Sequence, residues 1–199
     1  MILIINNSVT DPFNVASFKK IVKLITLLLG KENIIVNNGE DINQILCDSY
    51  DIKGVILSGS ELRINEKIFV DTIANNILPL IIKDIPILGV CFGHQLLGKL
   101  YQGKINSLSK LNEGNKIVKF SKSSLFKGIS SPQLYYFNHY DYISKVPYHF
   151  KVIATTSYNR IAAIQHNKNN IFGIQFHPEF NDSLGLLIYK NFIDICYSN

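Results

Sequence analysis

The residue in this sequence whose type and setting are best suited to catalysis is Cys91, in the stretch ILGVCFGHQLLG over residues 87–98. One glycine lies two positions before the cysteine and another lies two positions after it. This spacing is typical of a sharp turn from a strand into a helix, because small residues let the backbone turn tightly and expose the side chain at the apex. It predicts a nucleophilic cysteine, although a buried structural thiol explains the glycine pattern equally well when the motif is taken alone.

A helix is expected to follow Cys91, from about residue 94 to residue 102. Its unpaired N–H groups and its dipole would favour the thiolate over the thiol. The backbone N–H of Phe92 would then be available to a developing oxyanion. The local sequence therefore provides both a nucleophile and one donor for the charge that its attack creates.

A second motif, GIQFHPEF over residues 173–180, places a histidine two positions before a carboxylate. In an extended strand His177 and Glu179 share one face, because residues two apart lie about 6–7 Å from each other on the same side. Pro178 favours the extended conformation for the residue before it. A carboxylate that holds an imidazole is what a general base requires. Taken alone, the motif is more often a solvated surface pair.

Together the two motifs, GVCFGHQLLG and GIQFHPEF, resemble those of the class I glutamine amidotransferase family. The resemblance implies that Cys91 is the nucleophile, His177 the base and Glu179 its orienting carboxylate. It also implies that Gly59, at the end of GVILSG, supplies the second oxyanion N–H. Gln95 matches the family's glutamine that contacts the substrate. The similarity extends over nearly the whole chain.

The stretch YFNHYDYISKVPYHFKVIATT, residues 136–156, is similar to the amidotransferase subunits of GMP synthetases. Those subunits carry a Ser-His-x-Asp stretch there, and Asn138 replaces the serine. The resemblance implies that His139 and Asp141 couple the glutaminase to its synthetase partner. It also implies that the segment, with Asn138 and His139, contacts glutamine. A polar turn between two strands is the alternative interpretation of His139 and Asp141.

The sequence departs from this pattern in three places. The segment IINNSVTDPFN lacks the Gly-Gly-Gln that usually follows the first strand. The segment SGSEL, residues 58–62, stands in place of Ser-Gly-Gly-Pro but keeps Gly59. Tyr142 follows Asp141 where a glutamate is common. These differences concern the assignment of the partner and leave the triad intact.

The reaction implied by the resemblance is hydrolysis of L-glutamine to glutamate and ammonia, with no metal and no organic cofactor in this chain. Ammonia must then reach a second active site. The sequence contains no P-loop, no Rossmann fingerprint and no pyrophosphatase loop. We therefore expect a separate synthetase subunit that binds ATP and Mg and converts XMP to GMP. Three alternatives stay open: a stand-alone hydrolase of γ-glutamyl compounds, a non-enzymatic binding module, and the amidotransferase subunit of anthranilate or aminodeoxychorismate synthase.

The elements that must position these residues follow from the alternation of short apolar runs with helical patterns. We predict an α/β fold of three layers, flavodoxin-like, with a central, mostly parallel mixed sheet flanked by helices. One glutaminase domain is expected over residues 1–199. The predicted strands cover 2–5, 33–36, 54–59, 85–90, 116–120, 133–137, 150–156, 161–166 and 171–176. The predicted helices cover 15–28, the segment INQILCDSY at 42–50, 65–83, 94–102 and 183–196.

Composition excludes several other classes of protein. The 199 residues are 47% hydrophobic and 18% charged, with a net charge of +5, and no basic run alternates with aromatics as in nucleic-acid-binding proteins. The three widely spaced cysteines argue for a reducing compartment and against a disulfide framework. The start MILIINNS is unlike a signal peptide. The apolar stretch 77–93 is interrupted too often to span a membrane. We therefore expect a cytoplasmic protein with no nucleic-acid or membrane partner.

Overall fold

The computed structural model describes residues 1–39, 50–65, 67–157 and 161–198. Within these ranges the chain forms nine strands in one sheet and four α-helices. The strands are β1 (Ile2–Asn6), β2 (Ile34–Asn38), β3 (Gly54–Leu57), β4 (Ile87–Val90), β5 (Lys104–Phe120), β6 (Gln133–Lys145), β7 (Phe150–Thr155), β8 (Ala163–His166) and β9 (Ile171–Ile174). The helices are α1 (Pro12–Leu29), α2 (Lys67–Ile82), α3 (Phe92–Leu100) and α4 (Asp182–Cys196).

The sheet is mixed, with the strand order β2-β1-β3-β4-β9-β8-β7-β5-β6. The first five strands in this order are parallel, and each later pair is antiparallel. The predicted fold class is confirmed. Its parallel part was recognisable because strands covered by helices on both faces are apolar at almost every position.

Two hydrophobic layers lie on opposite faces of the sheet. Alternate residues of β1 show this division, since Ile2 and Ile4 pack with α1 and α4, whereas Leu3 and Ile5 pack with α2 and α3. All four side chains are completely buried. The parallel strands are therefore held from both sides, and their carboxyl ends form a fixed platform on which loops can place functional groups.

The antiparallel half of the sheet is longer than the sequence pattern predicts. The predicted strand 116–120 is only the end of the 17-residue strand β5, and the strand predicted at 133–137 continues to Lys145. His139 and Asp141 therefore lie inside β6, and their interpretation as a polar turn is wrong. Both side chains are buried and alternate with less buried neighbours, as the period of a strand requires.

Two further sequence-based expectations concern other parts of the chain. The predicted helix at 42–50 lies outside the described residues except for its last position, and so does Cys47. In the part of the chain that the structure describes, no helix is long and apolar enough to cross a membrane.

Candidate active site

Cys91 occupies the turn between β4 and α3, as the glycine spacing predicts. Its backbone has φ 51° and ψ −100°, and this positive φ is uncommon for a residue with a side chain. Two hydrogen bonds hold the turn: Cys91 N donates to Ile174 O at 2.8 Å, and Gln95 N donates to Cys91 O at 3.1 Å. Helix α3 begins at Phe92, two residues earlier than predicted, so Cys91 is its N-cap residue.

Close backbone contacts explain the two glycines that flank Cys91. A Cβ atom on Gly89 would lie 2.5 Å from the carbonyl carbon and oxygen of Gly93. A Cβ atom on Gly93 would lie 2.6 Å from Leu57 O, at the end of β3. Gly89 must lack a side chain for β4 to pack against the start of α3, and Gly93 must lack one for α3 to pack against β3, so the motif is a steric requirement of this turn.

His177 and Glu179 form a buried hydrogen-bonded pair, with 2.7 Å between Nδ1 and Oε1. The two side chains do not meet on one face of a strand, as the sequence suggested. Strand β9 ends at Ile174, and residues Pro178–Phe180 form a 3₁₀ turn. His177 itself is extended and donates its N–H to Tyr136 O at 2.8 Å. Pro178 begins the turn, a position that proline favours, and the turn brings the carboxylate back to the ring.

The Glu179 carboxylate is held by two hydroxyl groups in addition to the histidine. Ser17 of α1 donates to Oε1, and Tyr189 of α4 donates to Oε2 at 3.1 Å. Burial and the adjacent carboxylate raise the pKa of Tyr189 well above its ordinary value, so its hydroxyl stays protonated and can donate. Both residues are fully buried. Sequence analysis did not identify them, since Ser17 lies 162 positions from Glu179.

The thiol, the imidazole and Gly59 meet at the carboxyl edge of the parallel strands. A Cβ atom on Gly59 would lie 3.3 Å from His177 Cε1 and 3.6 Å from Cys91 Cβ. Burial disfavours the charged ring of His177, but the charges of Glu179 and of the Cys91 thiolate outweigh it and raise the pKa of His177. No described residue hydrogen-bonds to His177 Nε2. This nitrogen is thus available for proton transfer.

A cavity of about 250 Å³ opens at Cys91. Four of the other predicted residues line it: Gln95, Asn138, His139 and Asp141. Asn138 contributes its backbone carbonyl, which lies 3.6 Å from the thiol of Cys91. The cavity thus joins residues of the first motif with residues of the segment 136–156. The predicted residues His177, Glu179, Gly59 and Phe92 are not among those that line it.

Two buried glutamine side chains, Gln95 and Gln175, form a hydrogen-bonded chain beside the thiol. Gln95 Nε2 donates to Asp141 O at 2.6 Å and to Gln175 Oε1 at 3.4 Å. Gln175 Nε2 in turn points to Cys91 Sγ at 3.7 Å. Gln175 is a site residue that sequence analysis missed, although its place two positions before His177 in GIQFHPEF was visible.

His139 is held as a neutral ring. Its Nδ1 must carry the proton, because it donates to the carbonyl oxygen of Asp141 at 3.0 Å, and its Nε2 accepts from Asn112 Nδ2 at 2.8 Å. Burial lowers the pKa of His139 to about 4. At neutral pH the ring is therefore a fixed hydrogen-bonding group at the edge of the cavity.

Asp141 connects β6 to the loop that follows β3. Its Oδ2 accepts from Ile64 N at 3.0 Å, and its Oδ1 accepts from Ser107 and lies 3.4 Å from Arg63 Nε. The side chain is only 2% exposed. A direct contact between this carboxylate and another protein would require this network to open, so any role in coupling would pass through the loop that it holds.

Comparisons with known proteins identify the family of this chain. The family model for glutamine amidotransferase class-I matches residues 13–195. A glutamine-hydrolysing GMP synthase subunit of Archaeoglobus fulgidus is 28% identical over 92% of this chain and 96% of its own length. The subunit of the same name from Methanococcus maripaludis strain C5 is 34% identical over 81% of this chain and 82% of its own length. A crystal structure from Thermoplasma acidophilum, described as that of a GMP synthase subunit, has a TM-score of 0.82 at 20% identity, covering 100% of this chain and 94% of that one.

Proposed function

Because the chain belongs to the class I glutamine amidotransferase family, we propose that it hydrolyses L-glutamine through Cys91, His177 and Glu179. The observation that carries this proposal is the buried His177–Glu179 hydrogen bond beside the strained turn of Cys91, with Gly59 against both. A structural cysteine would need neither an unpaired imidazole nitrogen nor an orienting carboxylate next to it.

The first step is attack of the Cys91 thiolate on the side-chain amide of glutamine. A carbon–sulfur bond forms, and the electron pair of the carbonyl moves to oxygen. The N–H groups of Gly59 and Phe92 donate to this oxyanion; the N–H of Phe92 is available because the first residues of a helix lack intrahelical acceptors. Each such donor contributes about 3–4 kcal/mol to the stability of the transition state.

His177 then moves the protons. Its Nε2 gives a proton to the amide nitrogen, the carbon–nitrogen bond breaks, and ammonia leaves a glutamyl thioester on Cys91. The neutral ring next removes a proton from water, which attacks the thioester and releases glutamate and the thiolate. Glu179 stabilises the imidazolium in both steps, consistent with the raised pKa of His177.

The ammonia is proposed to pass to a separate ATP-dependent synthetase subunit that converts XMP to GMP. Two relatives that align with most of this chain are named as subunits of a glutamine-hydrolysing GMP synthase. Ammonia needs a protected route, because in neutral water it is protonated to ammonium, which is not a nucleophile. ATP and Mg would be bound by the synthetase subunit.

The test combines the purified chain with the synthetase subunit that co-purifies from the same cell. We expect slow release of glutamate by the chain alone, acceleration when the partner, XMP and ATP are present, and formation of GMP. Cys91→Ala should abolish glutamine-dependent GMP formation, whereas added ammonium should still support it.

Two results would contradict the proposal. A diazoketone analogue of glutamine that fails to label Cys91 in the assembled complex would exclude the nucleophile. Hydrolysis of γ-glutamyl peptides by the chain alone, at a rate that the partner does not change, would identify a stand-alone hydrolase instead.

A further inference from the structure

Glu61 binds the backbone of a neighbouring loop with one carboxylate oxygen. Its Oε1 accepts hydrogen bonds from the N–H groups of Val9, Thr10 and Asp11 at 3.0, 2.6 and 3.0 Å. Successive amides that converge on one oxygen form an anion-binding nest. Burial favours the neutral acid, but these amides outweigh it and lower the pKa of Glu61, so the side chain is anionic at neutral pH.

The hydrogen bonds of Glu61 fasten the loop that carries Gly59. Glu61 lies two residues after Gly59, and the amides that it binds belong to the connection between β1 and α1. On the other side of Gly59, the backbone N–H of Asn7 donates to Ser58 Oγ at 2.9 Å, and Asn7 Nδ2 donates to Ser58 O at 3.0 Å. Gly59 is therefore tied on both sides to the same β1–α1 connection.

Gly59 has little room on the side that faces the active site. In addition to its contacts with His177 and Cys91, a Cβ atom there would lie 3.2 Å from Asn14 Oδ1. Its N–H is the proposed second oxyanion donor. A displacement of about 1 Å in a reacting group can reduce the rate about a hundredfold, so the anchoring of this loop affects catalysis directly.

Helix α1 connects the same loop to the histidine and its carboxylate. Asp11 caps the helix by accepting from Asn14 N at 2.9 Å. Within the first two turns of the helix, the ring of Phe13 packs edge-on against His177, with 5.0 Å between the ring centroids, and Ser17 donates to Glu179. A single helix thus positions the base and the loop of the oxyanion donor relative to each other.

Glu61 and the amides that it binds lie in two segments where the sequence departs from the family pattern. Glu61 stands where Ser-Gly-Gly-Pro has its proline, and the amides lie in the segment IINNSVTDPFN that lacks Gly-Gly-Gln. The two departures contact each other in the structure. A proline at position 61 would have no carboxylate for these amides. The hydrogen bonds that anchor the loop here therefore depend on the glutamate of this chain.

We propose that Glu61 is a positioning residue that holds the N–H of Gly59 where the oxyanion forms. The inference rests on the glutaminase function proposed above. It predicts that loss of the Glu61 carboxylate reduces the stabilisation of the transition state. The reactivity of the Cys91 thiolate and the affinity for glutamine should change much less.

The test uses Glu61→Gln, which removes the charge but keeps the shape, and Glu61→Ala, with Glu32→Gln as the control at an exposed carboxylate. We measure kcat and KM for glutamine in the complex with the synthetase, and the rate at which iodoacetamide alkylates Cys91. Alkylation needs the thiolate but forms no oxyanion. Amide hydrogen exchange over residues 1–20 and 50–65 reports on the two loops without requiring activity.

We expect both Glu61 variants to lower kcat by about ten- to a hundredfold, with KM and the rate of alkylation changed less than about threefold. Exchange at Val9–Asp11 should become faster, and Glu32→Gln should behave as the wild type. A wild-type kcat in Glu61→Gln would overturn the inference, and so would an equal loss of kcat and alkylation. A wild-type chain that neither hydrolyses glutamine nor reacts at Cys91 would instead overturn the proposed function.

Discussion

Tyr189→Phe tests how the buried carboxylate of Glu179 is stabilised. Among the described residues, the Tyr189 hydroxyl is the hydrogen-bond partner of Oε2, whereas Oε1 is shared by Ser17 and His177. The phenylalanine fills the same space and leaves one oxygen of a buried charge without a donor. A hydrogen bond to a charged group contributes about 1.5–3 kcal/mol, so we expect the free energy of unfolding to fall by about 2 kcal/mol.

For a chain of this length, that loss lowers the melting temperature by roughly 4–8 °C. Ser17→Ala should cost less, about 1 kcal/mol, because His177 still donates to Oε1. In the double variant the free energy of unfolding should fall by more than the sum of the two single losses, since both hydroxyls stabilise one carboxylate. Urea unfolding at neutral pH measures all three, with the exposed Tyr148→Phe as the matched control.

The result that would refute this reasoning is a Tyr189→Phe variant with the urea midpoint of the wild type. The carboxylate would then be satisfied without the hydroxyl. Activity is a second readout: the hydrogen bond between His177 and Glu179 remains in this variant, so we expect kcat to fall less than about tenfold. A complete loss of activity in a folded variant would show that the hydroxyl does more than hold the carboxylate.

The other predictions concern the turn of Cys91 and the two buried histidines near it. Gly89→Ala should destabilise the fold by about 3 kcal/mol or prevent folding, measured by thermal unfolding, because its Cβ would overlap the backbone of Gly93. His94→Met should raise the melting temperature by roughly 2–4 °C, because neither ring nitrogen of this fully buried histidine has a well-formed hydrogen bond among the described residues. Burial lowers the pKa of His94 to about 3, so the wild type should lose stability as the pH falls from 6.5 towards 3. In urea titrations over that range, the Met variant should lose less stability. Because the pKa of His177 is raised in the folded chain, its protonation stabilises the fold fully below pH 6.5 and progressively less at higher pH. Stability should therefore decline with alkaline pH more steeply in the wild type than in Glu179→Gln. Urea midpoints between pH 6 and pH 10 measure this difference.

Most of the parallel half of the fold was predictable because burial on both faces leaves an apolar signal in β1, β3 and β4. β9 is equally apolar, but its parallel pairing with β4 joins distant segments of the chain and was not predicted. The first part of β5 carries no such signal: KINSLSKLNEGN is polar, and most of its side chains are exposed. This segment is a strand because it pairs with β6 over most of its length. Pairing between distant segments has no local pattern for a sequence to show.

The geometry of the candidate site was predictable where it depends on a local motif. The glycines around Cys91 follow from the steric needs of one turn, and His177 and Glu179 are two positions apart, so their pairing could be proposed without the correct conformation. Ser17 and Tyr189 come from helices at opposite ends of the chain. Their contact with the carboxylate depends on how these helices pack, and a serine or tyrosine in an amphipathic helix gives no sign of it.

The position of β9 between β4 and β8 has a consequence for biosynthesis. The strand that carries the nucleophile is translated about eighty residues before the strand that completes its pairing, and the N–H of Cys91 needs Ile174 O. A nascent or truncated chain that ends before residue 171 would expose β4 as an open apolar edge, which is prone to aggregation. It would also lack the histidine, so reactivity towards glutamine can arise only after the last strand has been inserted.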